Sequence, residues 1–107
     1  MRFPDRAGNP NPNYFFECLA FSTSEKGLEA YVAEFPQRSA EDQELHYHDG
    51  AELVFILEGE LGLRYQNEEH VLRPGDSVYF DGAEPHCYRG RSEVPARAVV
   101  VTALPRL

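Results

Sequence analysis

Lysine is almost missing: Lys26 is the only one, and the basic residues total 10 against 18 acidic ones. The formal charge of −8 and the lack of any Lys/Arg stripe exclude a nucleic-acid duplex or an anionic membrane surface as partner of this chain by itself. Cysteine is scarce. Cys18 and Cys87 are too few for a disulfide scaffold, and their spacing matches no zinc motif, so two free thiols in a reducing cytoplasm are expected. No apolar stretch reaches the length of a membrane-spanning helix. Met1-Arg2-Phe3-Pro4-Asp5-Arg6 lacks the apolar run of a signal peptide. A soluble cytoplasmic protein is the expectation.

What remains is ordinary globular material. A length of 107 residues fits one domain, and 42% hydrophobic with 26% charged content argues against global disorder. Residues 1–13 carry Pro4, Pro10 and Pro12 with Asn9, Asn11 and Asn13, and read as a flexible arm or linker remnant. The domain is expected over 14–107. Tyr14 to Phe21 is aromatic-rich and suits a strand. Leu28 to Phe35 fits both a helical stripe and strand alternation, but the run is short and Pro36 stops it, so a strand is expected. From Leu45 onward short strands alternate with turn signals. They are predicted at 45–48, 52–57, 61–65, 69–73, 77–80, 86–89 and 96–103, separated by Asp49-Gly50, Glu58-Gly59, Gln66-Asn67, Pro74-Gly75 and Asp81-Gly82. Many short strands without a clear helix predict an all-β sandwich or barrel. Leu53 to Leu57 is apolar at both parities, so both faces of that strand need cover. One face can fill the barrel; the other calls for a second sheet or a second copy, hence an expected homodimer.

The chemistry concentrates in His46-Tyr47-His48-Asp49-Gly50-Ala51-Glu52. On a strand, His46 and His48 project to one side. A bend at Asp49-Gly50 would return the Glu52 carboxylate beside them. His86, after another turn, is a fourth candidate. Imidazoles with a carboxylate suit a first-row divalent metal, with Zn, Fe, Mn, Ni and Cu all open. Burying these groups together without a cation would be costly unless each found a partner. His70 sits beside a predicted hairpin tip and is read as a solvated surface residue. Phe55, Tyr79, Tyr88 and Arg64 are candidates for lining a ligand pocket.

This pattern is similar to that of the cupin superfamily. His46-x-His48-x₃-Glu52-x₆-Gly59 resembles its first signature, and Pro74-Gly75-Asp76 with Pro85-His86 resembles its second. The resemblance implies a small jelly-roll β-barrel with a metal held inside by His46, His48, Glu52 and His86. Asp81 stands where the second signature usually has proline, and Gly90 where it has asparagine; neither position is a ligand in the family. Leu72 to Phe80 and Ala96 to Thr102 resemble the C-terminal sensor domain of XRE-type helix-turn-helix regulators. In those proteins a DNA-binding domain precedes the cupin; 107 residues leave no room for one here. The resemblance thus implies an excised sensor domain or a stand-alone relative.

Two functions follow. One is a metal-containing sensor that holds a small molecule in the barrel and reports its presence to a regulatory partner. The other is a small metalloenzyme of dioxygenase, isomerase or decarboxylase type. No nucleophile–base pair is apparent, which favours the sensor.

Overall fold

The computed structural model describes residues 15–18, 27–42 and 44–103. The arm expected over 1–13 lies outside them. Eight strands run in chain order: β1 (Phe15–Cys18), β2 (Leu28–Phe35), β3 (Ala51–Glu58), β4 (Leu61–Tyr65), β5 (Glu68–Leu72), β6 (Ser77–Asp81), β7 (His86–Gly90) and β8 (Ala96–Ala103). The one helical element described is a 3₁₀ turn at Ala40–Asp42. Among the described residues no helix is long and apolar enough to cross a membrane.

The strands form two antiparallel sheets, ordered β1-β2-β8-β3-β6 and β5-β4-β7. Period-two alternation decides what each strand buries. In β8, Ala96, Ala98, Val100 and Thr102 are buried while the residues between them are only half-buried. In β3, Glu52, Val54 and Ile56 are buried, while Leu53, Phe55 and Leu57 are 38%, 41% and 46% exposed. The inner faces meet in one core of Ala33, Phe35, Val54, Ile56, Leu61, Leu63, Phe80, Ala96, Ala98 and Val100. This sandwich of two sheets is the predicted all-β barrel.

Local chemistry sets the connections. Gln66 and Asn67 take φ values of 54° and 65° between β4 and β5. Two consecutive positive φ angles are what a two-residue hairpin loop needs to match the strands' twist. The strand predicted over 45–48 does not form. His46 alone makes an isolated bridge, exchanging N–H···O=C bonds of 2.8 Å each way with His86. Two residues on, the His48 N–H turns to the Gly82 carbonyl (2.9 Å), so the ladder along β7 stops after one rung.

Candidate metal centre

Glu52 is the buried acidic residue among the described residues. Its neighbours in register are Phe80 on β6 and Thr102 on β8. Because Glu52 shares parity with Val54 and Ile56, its side chain turns inward and is only 4% exposed. His86 opens β7 in the facing sheet and is equally enclosed, at 4%. His48 reaches the same point from the segment before β3. The ligand atoms of these three residues all lie within 4.8 Å of one another. His48 Nε2 is 2.9 Å from Glu52 Oε1, and His86 Nε2 is 3.9 Å from Glu52 Oε2. The two imidazole planes are nearly perpendicular, at 84° with centroids 5.2 Å apart.

The protons on these rings can be assigned by elimination. His48 Nδ1 lies 3.1 Å from the Asp49 carbonyl oxygen, and His86 Nδ1 lies 2.8 Å from that of Glu84. A carbonyl only accepts, so each Nδ1 carries a hydrogen, and in the neutral ring the lone pair is then on Nε2. Glu52 Oε1 lies 2.9 Å from His48 Nε2, a hydrogen-bond distance when a proton sits between them. Two ring nitrogens and a carboxylate therefore converge on one small volume. A cation between them would be ligated by the same atoms. Backbone anchoring of the second ring nitrogen is the usual way a ligand histidine is oriented. The donor set fits a first-row divalent ion.

Close packing around the site keeps it dry on one side. Phe80 meets the His86 ring edge-on at 4.9 Å, and Tyr65 packs on Phe80 at 5.1 Å. On the other side His48 retains 34% of its side-chain exposure and forms the open rim.

Of the four residues expected to hold the metal, the structure assembles His48, Glu52 and His86. His46 is exposed and lies outside the group, although its backbone pairs directly with His86. Of the four pocket candidates, Tyr88 reaches the site and donates its hydroxyl hydrogen to Glu52 Oε2. Phe55 and Tyr79 stand on the outer face, 41% and 72% exposed, because they alternate with the inward Glu52, Val54 and Phe80. Arg64 likewise alternates with the buried Leu63 and pairs in register with Glu69 and Cys87 on the outer side. His70 is on β5 beside Glu68, exposed and not among the three donors.

Two contributors carry no local signal. Thr102 Oγ1 donates to Glu52 Oε1 over 3.4 Å; its role depends on a cross-strand register set 50 residues away. Gly82 seats the His48 ring: a Cβ there would strike that ring and come within 2.7 Å of the Gly50 carbonyl oxygen.

Two antiparallel sheets closed over an inward cluster of two imidazoles and one carboxylate define the class: a small β-barrel with a polar site inside it. The chain belongs to the cupin family, whose domain model matches residues 33–102. No curated protein matches it by sequence. Among solved structures it is similar to the cupin domain of an XRE family transcriptional regulator from Enterobacter cloacae. That likeness has a TM-score of 0.73 and 22% identity, covering 89% of this chain and 100% of that one. It is also similar to Fe(II) HppE (TM-score 0.75, 24% identity), covering 84% of this chain and 50% of that one. Hydroxypropylphosphonic acid epoxidase from S. wedmorenis gives a TM-score of 0.73 at 21% identity, covering 85% and 51%. At these identities the likeness carries the fold. The chain spans about half the length of the HppE and epoxidase chains.

Proposed function

We propose that this chain is a divalent-metal-binding cupin that senses a small molecule, the ligand-binding module of a transcriptional regulator. The observation that carries the metal is the convergence of His48, Glu52 and His86, whose ligand atoms all lie within 4.8 Å of one another. The match to the full length of a regulator's cupin domain supports the sensor role. Bound, a divalent ion supplies a Lewis acid and coordination positions that a chelating ligand can fill. The residues do the rest. His48, Glu52 and His86 grip from one side, Phe80 and Tyr65 exclude water behind them, and the exposed rim at His48 admits the ligand. His46, exposed and bridged through its backbone to His86, is taken as an outer contributor. Residence in the cytoplasm and assembly as a homodimer belong to the same reading.

The test is metal titration by calorimetry. His48→Ala, Glu52→Ala and His86→Ala each abolish measurable binding, whereas His46→Ala weakens it by about tenfold, the scale of a residue outside the primary set. Binding that survives His86→Ala unchanged would remove the proposal's basis. For sensing, a panel of small chelating ligands raises the Tm of the metal-loaded protein and leaves the metal-free protein unmoved.

One observation favours a second reading. Two histidines and one carboxylate on one face are the donor set of non-haem iron oxygenases, and iron-bound HppE shares this fold. Oxygen uptake by iron-loaded protein with a chelating substrate, lost in His48→Ala, would establish the enzyme; no uptake across the panel retains the sensor.

A further inference from the structure

A buried carboxylate ligand has to be held as well as bound. Glu52 lies in the five-stranded sheet, and the side chain on which it leans comes from the other one. Tyr88 follows His86 by two residues on β7, so both point to the inner face. Its ring is wedged between Phe35 (centroids 5.2 Å) and His86 (6.0 Å). From there its hydroxyl donates to Glu52 Oε2, while Thr102 Oγ1 donates to Oε1 over 3.4 Å. The terminal torsion of a glutamate is soft and roughly two-fold, so packing alone sets the carboxylate plane poorly. Two donors, one on each oxygen, do set it.

We infer that Tyr88 is a positioning residue for the metal site: its hydroxyl fixes the Glu52 carboxylate so that the free lone pairs face His48 and His86. The inference rests on the metal-binding reading above and adds to it how the acidic ligand is oriented. One strand, β7, thereby supplies both a ligand and the group that aims the ligand of the opposite sheet. Thr102 acts on the same carboxylate more weakly, at its longer distance.

Co(II) is the probe, because its visible absorption reports coordination geometry while calorimetry reports affinity. Wild type, Tyr88→Phe and Thr102→Val are compared. Tyr88→Phe keeps the ring and its packing, and a cooperative thermal transition of the metal-free variant verifies its fold. The expected result is about 10- to 100-fold weaker Co(II) binding for Tyr88→Phe, the usual cost of losing a partner that orients a ligand. Its Co(II) absorption bands shift or change intensity, which loss of packing alone would not cause. Thr102→Val changes the bands in the same sense by less, and carries the test if Tyr88→Phe does not fold. Tyr88→Phe binding within twofold of wild type, with superimposable spectra, overturns the positioning role while leaving the metal site intact. Failure of wild type itself to bind Co(II) overturns the metal reading and this inference together.

Discussion

At the residue scale, the centre depends on groups that are neither ligands nor charged. Gly82 is the clearest. Its backbone accepts from the His48 N–H and donates to the Gly50 carbonyl (2.8 Å), so the turn between β6 and β7 grips the segment that carries His48. The missing side chain is the space that the His48 ring fills. Gly82→Ala must therefore move the imidazole or the Gly50 carbonyl. We expect about tenfold weaker metal binding, measured by calorimetry, with a metal-free Tm lowered by only a few degrees. Unchanged affinity would mean that the ring is free to relocate without cost. The candidate donors were legible in the sequence because a His-x-His-x₃-Glu run is unusual, and of its members Glu52 is polar at a core parity. Thr102 and Gly82 were not, since one acts through strand register and the other through empty space. The outward placement of Phe55, Tyr79 and Arg64 was legible in principle. Once Glu52 points inward, period two sends Phe55 the other way.

At the scale of elements, the small sheet is tied across its outer face by charge. Arg89 on β7 reaches over β4 to Glu69 on β5 with two bonds, of 2.6 and 2.9 Å. Gly62 on the intervening β4 allows this, for a Cβ there would lie 2.6 Å from Glu69 Oε1. Arg91 adds a longer contact to Glu69, and Arg89 also donates to the Arg38 carbonyl, joining the loop after β2 to the sheet. The hydrogen bond from Arg89 holds the Glu69 carboxyl below its ordinary value of 4.5, against the opposing effect of burial. The sign follows from the direction of the shift. A carboxylate with a lowered folded pKa contributes its full stability above the unfolded value, and loses it as pH falls through the folded one. Glu69→Gln is therefore expected to cost about 1 kcal/mol at pH 7, as a partly exposed bidentate pair allows. The two proteins converge in stability at acid pH, below the folded pKa. Urea denaturation of both across pH 3 to 7 checks this; a difference independent of pH would assign the loss to shape alone. Strand positions from β2 to β8 were readable because turn residues punctuate alternating runs. The missing strand at 45–48 was not. There the pattern is apolar-polar as in a strand, but only His46 finds a backbone partner.

At the scale of the whole molecule, the five-stranded sheet has two apolar faces and a single chain covers one. Leu53, Phe55 and Leu57 on β3 and Tyr79 on β6 remain exposed, and the half-buried Val99 and Val101 of β8 lie alongside, Val99 opposite Phe55 and Val101 opposite Leu53. The twofold association proposed above would place its contact on this face, with Phe55 near its middle. A charge of −8 per chain opposes self-association, so the apolar contact has to outweigh it, and added salt should strengthen the pair by screening. Phe55→Glu places a buried unpaired charge at each of two symmetry-related positions in a dimer but only an exposed one in a monomer. Sedimentation equilibrium at micromolar concentration should find wild type dimeric and Phe55→Glu monomeric. Glu52 faces the other side of the same strand, so metal affinity should be unaffected by the substitution. A monomeric wild type would leave the outer face for another partner. Loss of metal binding in a folded Phe55→Glu monomer would instead show that the two faces of the sheet are energetically coupled.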